Sequence, residues 1–569
     1  MPRPQQSPCV QCRYRKVRCD RRKDTCGSCE RLNFECSFRQ PALAVSSKEA
    51  LESTPPERCR ASRACLACRR LKARRSGELP ECDNCRRLGK QCRYGSVDRL
   101  GVETSGVVES SSDPGLSPLF PIRRQEMIGI LDRFFRHLYP IPSFAFLHEQ
   151  SIRQECITGA LDHSLALALA AVTSVLLPSG DGKFEDCTSW VRRAEADIWD
   201  NLHRPSLCRV QTLVLIVHFH IQNGEYSRAY MLAGMAARSA TALRLNYERP
   251  ELGRIAQETR RRVLWALTSI DGHFSVGLAE YETMPYAVVY QQLPRPEEEF
   301  SGASNDNAHP NLLAACFQLS KIQRDVMRLT RQLAISDKPL LELSSLVQEI
   351  QNDLWRFHSD LELNGDYSIS ATANALTMKD SRWFTRYLLA SLSWHQVHCD
   401  LYRIFLPGYA EAVPRIIMDS TNVVFRTNAV EMCRIHVQQI FKILAGVLQL
   451  DAPVLPSYLA VCSYQAARLI LFLPSLGSAK VEITMQSARA NSETSLRILQ
   501  VFFSLAPWAS DIIADLQRLI QATDYPRTMT TCEAGFYPSQ IDSSRYRHDQ
   551  LAVHSLIRQA KFVDDGYDC

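Results

Sequence analysis

The 569 residues contain no G-x-S-x-G run, no Walker A loop and no G-x-G-x-x-G run. The nucleophile elbow, the phosphate-cradling loop and the dinucleotide fingerprint are therefore missing, and an enzyme is not expected. Long apolar runs are missing too. The longest, residues 165–177, falls short of the roughly 20 residues a spanning helix needs and reads as a buried core helix. No apolar leader opens the chain, so neither a membrane partner nor secretion is expected. Sustained heptads are also absent: residues 95–119 (GSVDRLGVETSGVVESSSDPGLSPL) are rich in glycine and serine, with proline, and read as a flexible linker rather than a zipper. Paired cysteine spacing is confined to the first hundred residues, which hold 12 of the 21 cysteines. The nine scattered ones read as reduced, buried thiols of an intracellular protein.

What is present is unevenly distributed. The net charge of +6 hides a basic head, with 24 Lys+Arg against 11 Asp+Glu in residues 1–100, on a body of net −7. That division suits a nucleic-acid reader joined to a separate interaction domain. Within the head, residues 9–36 read CVQCRYRKVRCDRRKDTCGSCERLNFEC, placing Cys9, Cys12, Cys19, Cys26, Cys29 and Cys36 in the pattern C-x2-C-x6-C-x6-C-x2-C-x6-C. Each half opens with a C-x2-C pair able to grip a metal from two sides of a turn, and a third thiol follows about two helical turns later. Six thiolates are too few for two separate four-coordinate zinc ions but suffice if two sulfurs bridge. Between Cys12 and Cys19 lie Arg13, Arg15, Lys16 and Arg18, a density of cations suited to phosphates and to guanine edges.

This stretch resembles the fungal binuclear zinc-cluster family, whose modules place a helix in the major groove of DNA. The resemblance implies two zinc ions, with Cys9 and Cys26 bridging, one ion completed by Cys12 and Cys19 and the other by Cys29 and Cys36. It also implies that Arg15 and Lys16 contact a CGG-type triplet. The loop over residues 20–25 lacks the proline common in the family, which bears on loop geometry and not on ligand count.

The pattern then recurs in damaged form. Residues 64–94 supply Cys65, Cys68, Cys82, Cys85 and Cys92, a basic stretch with Arg69, Arg70, Lys72 and Arg74, and the loop proline as Pro80. Arg75 stands where the third cysteine belongs, and a guanidinium has no lone pair to offer a metal. A mononuclear zinc site, a binuclear site rescued by Cys59 and a poorly folded remnant all stay open, with weak phosphate binding as the expected contribution.

From residue 120 to about 522, apolar residues recur at helical spacing. Helices are expected over residues 127–138 (broken by Pro140 and Pro142), 161–177, 210–221, 226–245 and 257–277. Residues 297–310 (EEEFSGASNDNAHP) are polar and read as a surface loop dividing the body. GEYSRAYMLAGMAARSATALRLN followed by ETRRRVLWALTSIDGHFSVG resembles the fungal-specific transcription factor domain, or middle homology region, with its Arg-Arg-x-x-Trp…Asp run as Arg261, Arg262, Trp265 and Asp271. LDRFFRHLYPIPSFAFLHEQ and WHQVHCDLYRIFLPGYAEAVP add to that resemblance. Bland readings are expected for the tempting residues. His395, His398 and Cys399 read as surface or core polar positions, His218 and His220 as satisfied core histidines, and Asp271, near Arg261 and Arg262, as a member of a structural ion pair across one helix and its neighbour. The last nine residues, KFVDDGYDC, form an acidic-aromatic tail whose default is a frayed terminus.

The expected fold class is therefore one or two small zinc-cluster modules, with short helices wrapped round zinc, followed by a large all-α domain. The expected divisions are 5–40 first cluster, 41–60 linker, 61–95 second cluster, 96–119 linker, 120–522 regulatory domain and 523–569 tail. The resemblances imply a nuclear, zinc-dependent transcription factor acting on RNA polymerase II promoters through CGG-like elements. Its implied partners are double-stranded DNA, coregulators or the transcription machinery, and a small-molecule inducer. The rival expectation is a protein-interaction regulator whose basic head docks on partners without reading promoters.

Overall fold

The computed structural model of the chain divides into two compact units, Met1–Ser111 and Ser112–Cys569. It describes residues 9, 10, 12, 19, 20, 22, 24–31, 36 and 37 of the first, and 122–178, 184–301, 310–334, 336, 342–363, 369, 376–450, 454–477, 483–523 and 555–560 of the second. In the first unit the described cysteines form a small core of their own around a four-residue helix, α1 (Gly27–Glu30).

The second unit is helical, with no strand among its described residues. Its first helix, α2 (Arg124–Arg133), continues as a π-helical turn, Phe134–Leu138. Met127, Leu131, Phe134, Phe135 and Leu138 are buried, as the apolar spacing predicts, and the chain then turns through Pro142–Phe144. After α3 (Glu149–Thr158) comes a four-helix group: α4 (His163–Leu176), α5 (Phe184–Asp200), α6 (Leu207–Gln222) and α7 (Tyr226–Ala242). Asp162 and Ser206 start α4 and α6 by accepting from the backbone amides of Leu165 and Arg209. Both helices are apolar nearly all round because they lie inside this group.

A second group follows the connecting helices α8 (Arg254–Ser275) and α9 (Glu297–Ser301). It comprises α10 (Leu312–Ala334), α11 (Leu343–Leu363), α12 (Phe384–Arg403), α13 (Arg415–Ser420), α14 (Val423–Val447), α15 (Ser457–Phe472), α16 (Met485–Phe502) and α17 (Ser510–Ala522). Helix α8 packs against α6 and α7 on one side and α10 on the other, and the short C-terminal α18 (Leu556–Gln559) leans on α7 and α8. One apolar core runs through both groups. The stretch Ser457–Leu476 is as long and apolar as a membrane span, a feature the run-length reading missed, yet it is mostly buried within the body as a core helix.

Some expectations hold here and others are corrected. Residues 297–310 are not simply a surface loop: Glu297–Ser301 is helical, Phe300 is buried, and Glu297 enters a buried ion-pair knot. Asp271 does not pair with Arg261 or Arg262. Nine or ten residues of helix separate them by roughly 14 Å along the axis. Asp271 instead meets Arg324 of α10 at 3.3 Å and accepts from the amide and hydroxyl of Thr283, both at 2.7 Å. His220 is satisfied by Glu195 at 2.7 Å, but the Nε2 of His218 is buried without a hydrogen-bond partner. His395 and His398 are core residues grouped with His436, the first by a 2.9 Å Nδ1 contact and the second by ring stacking at 4.1 Å.

The Arg-Arg-x-x-Trp run of α8 serves architecture. Arg262, 1% exposed, donates to Glu258 at 2.8 Å, to Glu297 at 2.8 Å and to the Tyr139 hydroxyl at 2.9 Å. Glu297 also accepts from Arg386 of α12 at 2.6 Å, and Arg386 donates to the Pro140 carbonyl at 3.0 Å. One carboxylate thus ties the N-terminal turn, α8, α9 and α12 together. Arg261 grips Glu248 and Glu258, and the Trp265 indole N–H donates to the Gln292 carbonyl at 2.8 Å.

Candidate metal centre

Six cysteines converge in the first unit, five of them buried and Cys19 half-buried. Their ligand atoms fall into two sets, Cys9, Cys12, Cys19 and Cys26, and Cys9, Cys26, Cys29 and Cys36, each with all sulfurs within 4.8 Å of one another. Cys9 and Cys26 belong to both sets, and these are the two positions that the resemblance implies as bridges. The sulfur separations are 3.6 Å for Cys9 to Cys26, 3.7 Å for Cys9 to Cys29 and 3.5 Å for Cys12 to Cys26. A tetrahedron of Zn–S bonds of about 2.3 Å has edges of about 3.8 Å, whereas a disulfide is about 2 Å. The spacing is that of a metal thiolate, and the residues present fit two zinc ions.

Local structure sets these positions. The amide of Cys12 points at Cys9 Sγ (3.4 Å), and that of Cys26 at Cys36 Sγ (3.4 Å), so backbone donors support thiolate charge in each half. Burial acts the opposite way: it is the largest cause of the rise of the Cys26 thiol to about 12, and it raises Cys9 and Cys29 as well. A divalent cation reverses that balance, because its thiolate ligands shed their protons as it binds.

Sequence reasoning missed the residues that close the connecting loop. Both carboxylate oxygens of Asp20 accept from the Gly27 amide, at 3.0 and 3.1 Å, and Asp24 takes a left-handed conformation. Asp20 thereby fixes the turn that lacks the family's proline. The Ser37 hydroxyl accepts from the Val10 amide at 3.0 Å and joins the two ends of the module. An aspartate at the mouth of a loop is too common to stand out as a signal in sequence. Arg13, Arg15, Lys16 and Arg18 lie outside the described residues. So do Arg69, Arg70 and Lys72 and the thiols Cys65, Cys68, Cys82, Cys85 and Cys92.

Comparison with known families decides the identity. The fungal Zn(2)-Cys(6) binuclear cluster domain matches twice, at residues 7–44 and 63–99, so the second copy is matched despite Arg75. The fungal specific transcription factor domain matches residues 131–372. The chain belongs to the fungal zinc-cluster transcription factors. Among curated members, it is 22% identical over 324 residues to the Zn(2)-C6 fungal-type transcription factor FTF1c of Fusarium oxysporum f. sp. lycopersici, covering 47% of this chain and 34% of that one. To FTF2 of the same organism it is 22% identical over 318 residues, covering 47% and 29%. The chain therefore spans about a third of the length of the curated relatives it matches.

Proposed function

We propose that this chain is a nuclear, zinc-dependent transcription factor that reads a CGG-like element in RNA polymerase II promoters through residues 9–36. The observation that supports this most is the pair of four-thiol sets sharing Cys9 and Cys26. Two zinc ions held there fold the module, since metal binding supplies most of the folding energy of so small a unit. Arg15 and Lys16 then face guanine O6 and N7, while Arg13 and Arg18 hold phosphates. The second cluster binds one zinc and adds phosphate contacts through Arg69, Arg70 and Lys72, which raises affinity more than specificity. The helical body receives an inducer or a coregulator and passes the signal to the transcription machinery.

Selection from random duplexes by the full-length chain, at fixed salt, tests this reading. Enrichment of a CGG-containing element that disappears with a zinc chelator and with Arg15→Ala/Lys16→Ala is expected. Binding that follows salt but not sequence would replace it with the reading in which the basic head docks on partners.

A further inference from the structure

Where the two helix groups meet, the body holds a partly open cavity of about 660 Å³. That volume is within the range of sites for drug-sized molecules, and walls from α6, α8, α10, α12 and α15 form it. Its lining is apolar and aromatic by a modest majority, including Phe144, Phe317 and Trp508, with neutral polar side chains such as Ser320, Gln323 and His273 between them. The charged side chains among the lining residues are Arg324, Asp400 and Arg403, and each is already engaged within the protein. Arg324 pairs with Asp271 and donates to the Thr268 carbonyl at 2.8 Å. Arg403 lies 3.2 Å from Asp400 and 3.3 Å from Glu411, and Asp400 also accepts from Gln396 at 2.8 Å and Gln323 at 3.1 Å. No charge is left over for an ionic ligand, and bringing one in would cost its hydration.

Once Arg403 Nε is set aside, 3.3 Å from Glu411, the buried wall atoms without a hydrogen-bond partner are Gln396 Oε1, His218 Nε2 and the Tyr458 hydroxyl. The first is a carbonyl and can only accept. The second is also an acceptor. Burial holds His218 neutral, with its pKa lowered to about 3, and a hydrogen bond with the Ser143 backbone acts upward, as donation from a ring N–H to a carbonyl does. The ring's one proton is therefore on Nδ1, leaving the Nε2 lone pair facing no donor. The His218 ring also stacks against Phe144, centroids 4.3 Å apart, which fixes its orientation.

We propose that this cavity binds an uncharged, largely apolar small molecule that presents a hydroxyl or N–H donor to His218 Nε2, with Gln396 Oε1 as a second acceptor. A carboxylate or an ammonium of the same size is excluded because the cavity's guanidinium and carboxylate groups already neutralise one another. The regulatory meaning of such binding rests on the transcriptional role proposed above. The binding itself does not, so the two readings fail separately.

Fluorescence titration of the purified full-length chain with hydroxypyrene, pyrene and pyrenecarboxylate tests the assignment without any DNA. Hydroxypyrene should saturate at one per chain, bind at least tenfold more tightly than the carboxylate, and exceed pyrene by roughly three- to tenfold, the worth of one hydrogen bond. His218→Phe, which keeps the ring and removes the acceptor, should bring hydroxypyrene down to pyrene's affinity and leave pyrene unchanged. Ser320→Trp, which fills the cavity from α10, should abolish binding of all three in a chain that still unfolds cooperatively. If that variant does not fold, the His218→Phe comparison decides alone. Failure of hydroxypyrene to saturate at one per chain, a carboxylate bound as tightly as the alcohol, or a hydroxyl advantage unchanged in His218→Phe would overturn the proposal.

Discussion

Replacing Glu297 by glutamine should be among the most damaging isosteric changes in the body, although sequence places it in a polar loop. Its carboxylate lies between Arg262 and Arg386, whose side chains are 1% and 2% exposed. In Glu297→Gln, Arg262 retains Glu258 at 2.8 Å, whereas Arg386 retains the carbonyls of Pro140 and Tyr139 and the Trp383 ring, none of which carries a charge. Breaking a buried pair while leaving one partner uncompensated costs about 3–5 kcal/mol. At about 2.1 cal/mol/K of unfolding entropy per residue, a body of roughly 400 ordered residues should lose about 4–6 °C in Tm. Differential scanning calorimetry at pH 7 measures this. Glu299→Gln, which breaks the half-exposed pair between Arg295 and Glu299, is the control and should stay within about 0.5 kcal/mol. In the double variant Arg386→Met/Glu297→Gln, no stranded cation remains, so its cost should fall short of the sum of the single costs by more than about 1 kcal/mol. Burial acts upward on the Glu297 carboxyl, but Arg386 and Arg262 outweigh it and hold its pKa below the usual 4.5. Its stabilising contribution is therefore complete above pH 4.5 and is lost as pH falls through the folded-state value. A Tm change below 1 °C, or strict additivity in the double variant, would refute the knot as the element that joins α8, α9 and α12.

Three further outcomes are expected. Cys26→Ser should strip both ions from the first cluster, because Cys26 belongs to both thiol sets, whereas Cys19→Ser should spare the ion in the other set; native mass spectrometry of the zinc-loaded chain counts them. Burial lowers the pKa of His395 to about 3 and of His398 to about 4, and that of His436 further, so all three fold neutral and the unfolded chain takes up protons below about 6.5. Their stabilisation is complete above pH 6.5 and declines as pH falls, by up to about 4 kcal/mol per pH unit once unfolded histidines are charged. Urea midpoints should therefore drop between pH 6.5 and 5, and a flat profile there would exclude a buried neutral cluster. Gly277 has φ +85° and a Cβ there would lie 2.8 Å from the Met327 backbone carbonyl carbon, so Gly277→Ala should destabilise the body by more than about 2 kcal/mol in equilibrium unfolding.

The clustering of the candidate metal-binding cysteines was legible because they lie within 28 consecutive residues, where chain connectivity and metal geometry leave few arrangements. The core helices were legible for a similar reason: the apolar run of residues 165–177 and the period of residues 127–138 are local signals that burial reproduces in α4 and α2. Asp271 was readable as an ion-pair member but not as the partner of Arg324, because no local period links positions 271 and 324. Glu297 was misread for the same reason, since three consecutive glutamates look solvated until two guanidiniums are brought to the first of them.

Sequence alone determined the zinc-cluster chemistry, the basic head, the helical body and the family, all carried by spacing within a few tens of residues. Tertiary structure alone decided the knot, in which Arg386 reaches across 247 positions to the Tyr139 carbonyl and Arg262 across 123 to its hydroxyl. It also decided the cavity, which His218 and Gln396 line from different helix groups. The physical reason is that metal ligation and helical amphipathicity are set by neighbours along the chain. A buried charge or an unpaired acceptor acquires its meaning only from groups that folding brings within about 3 Å.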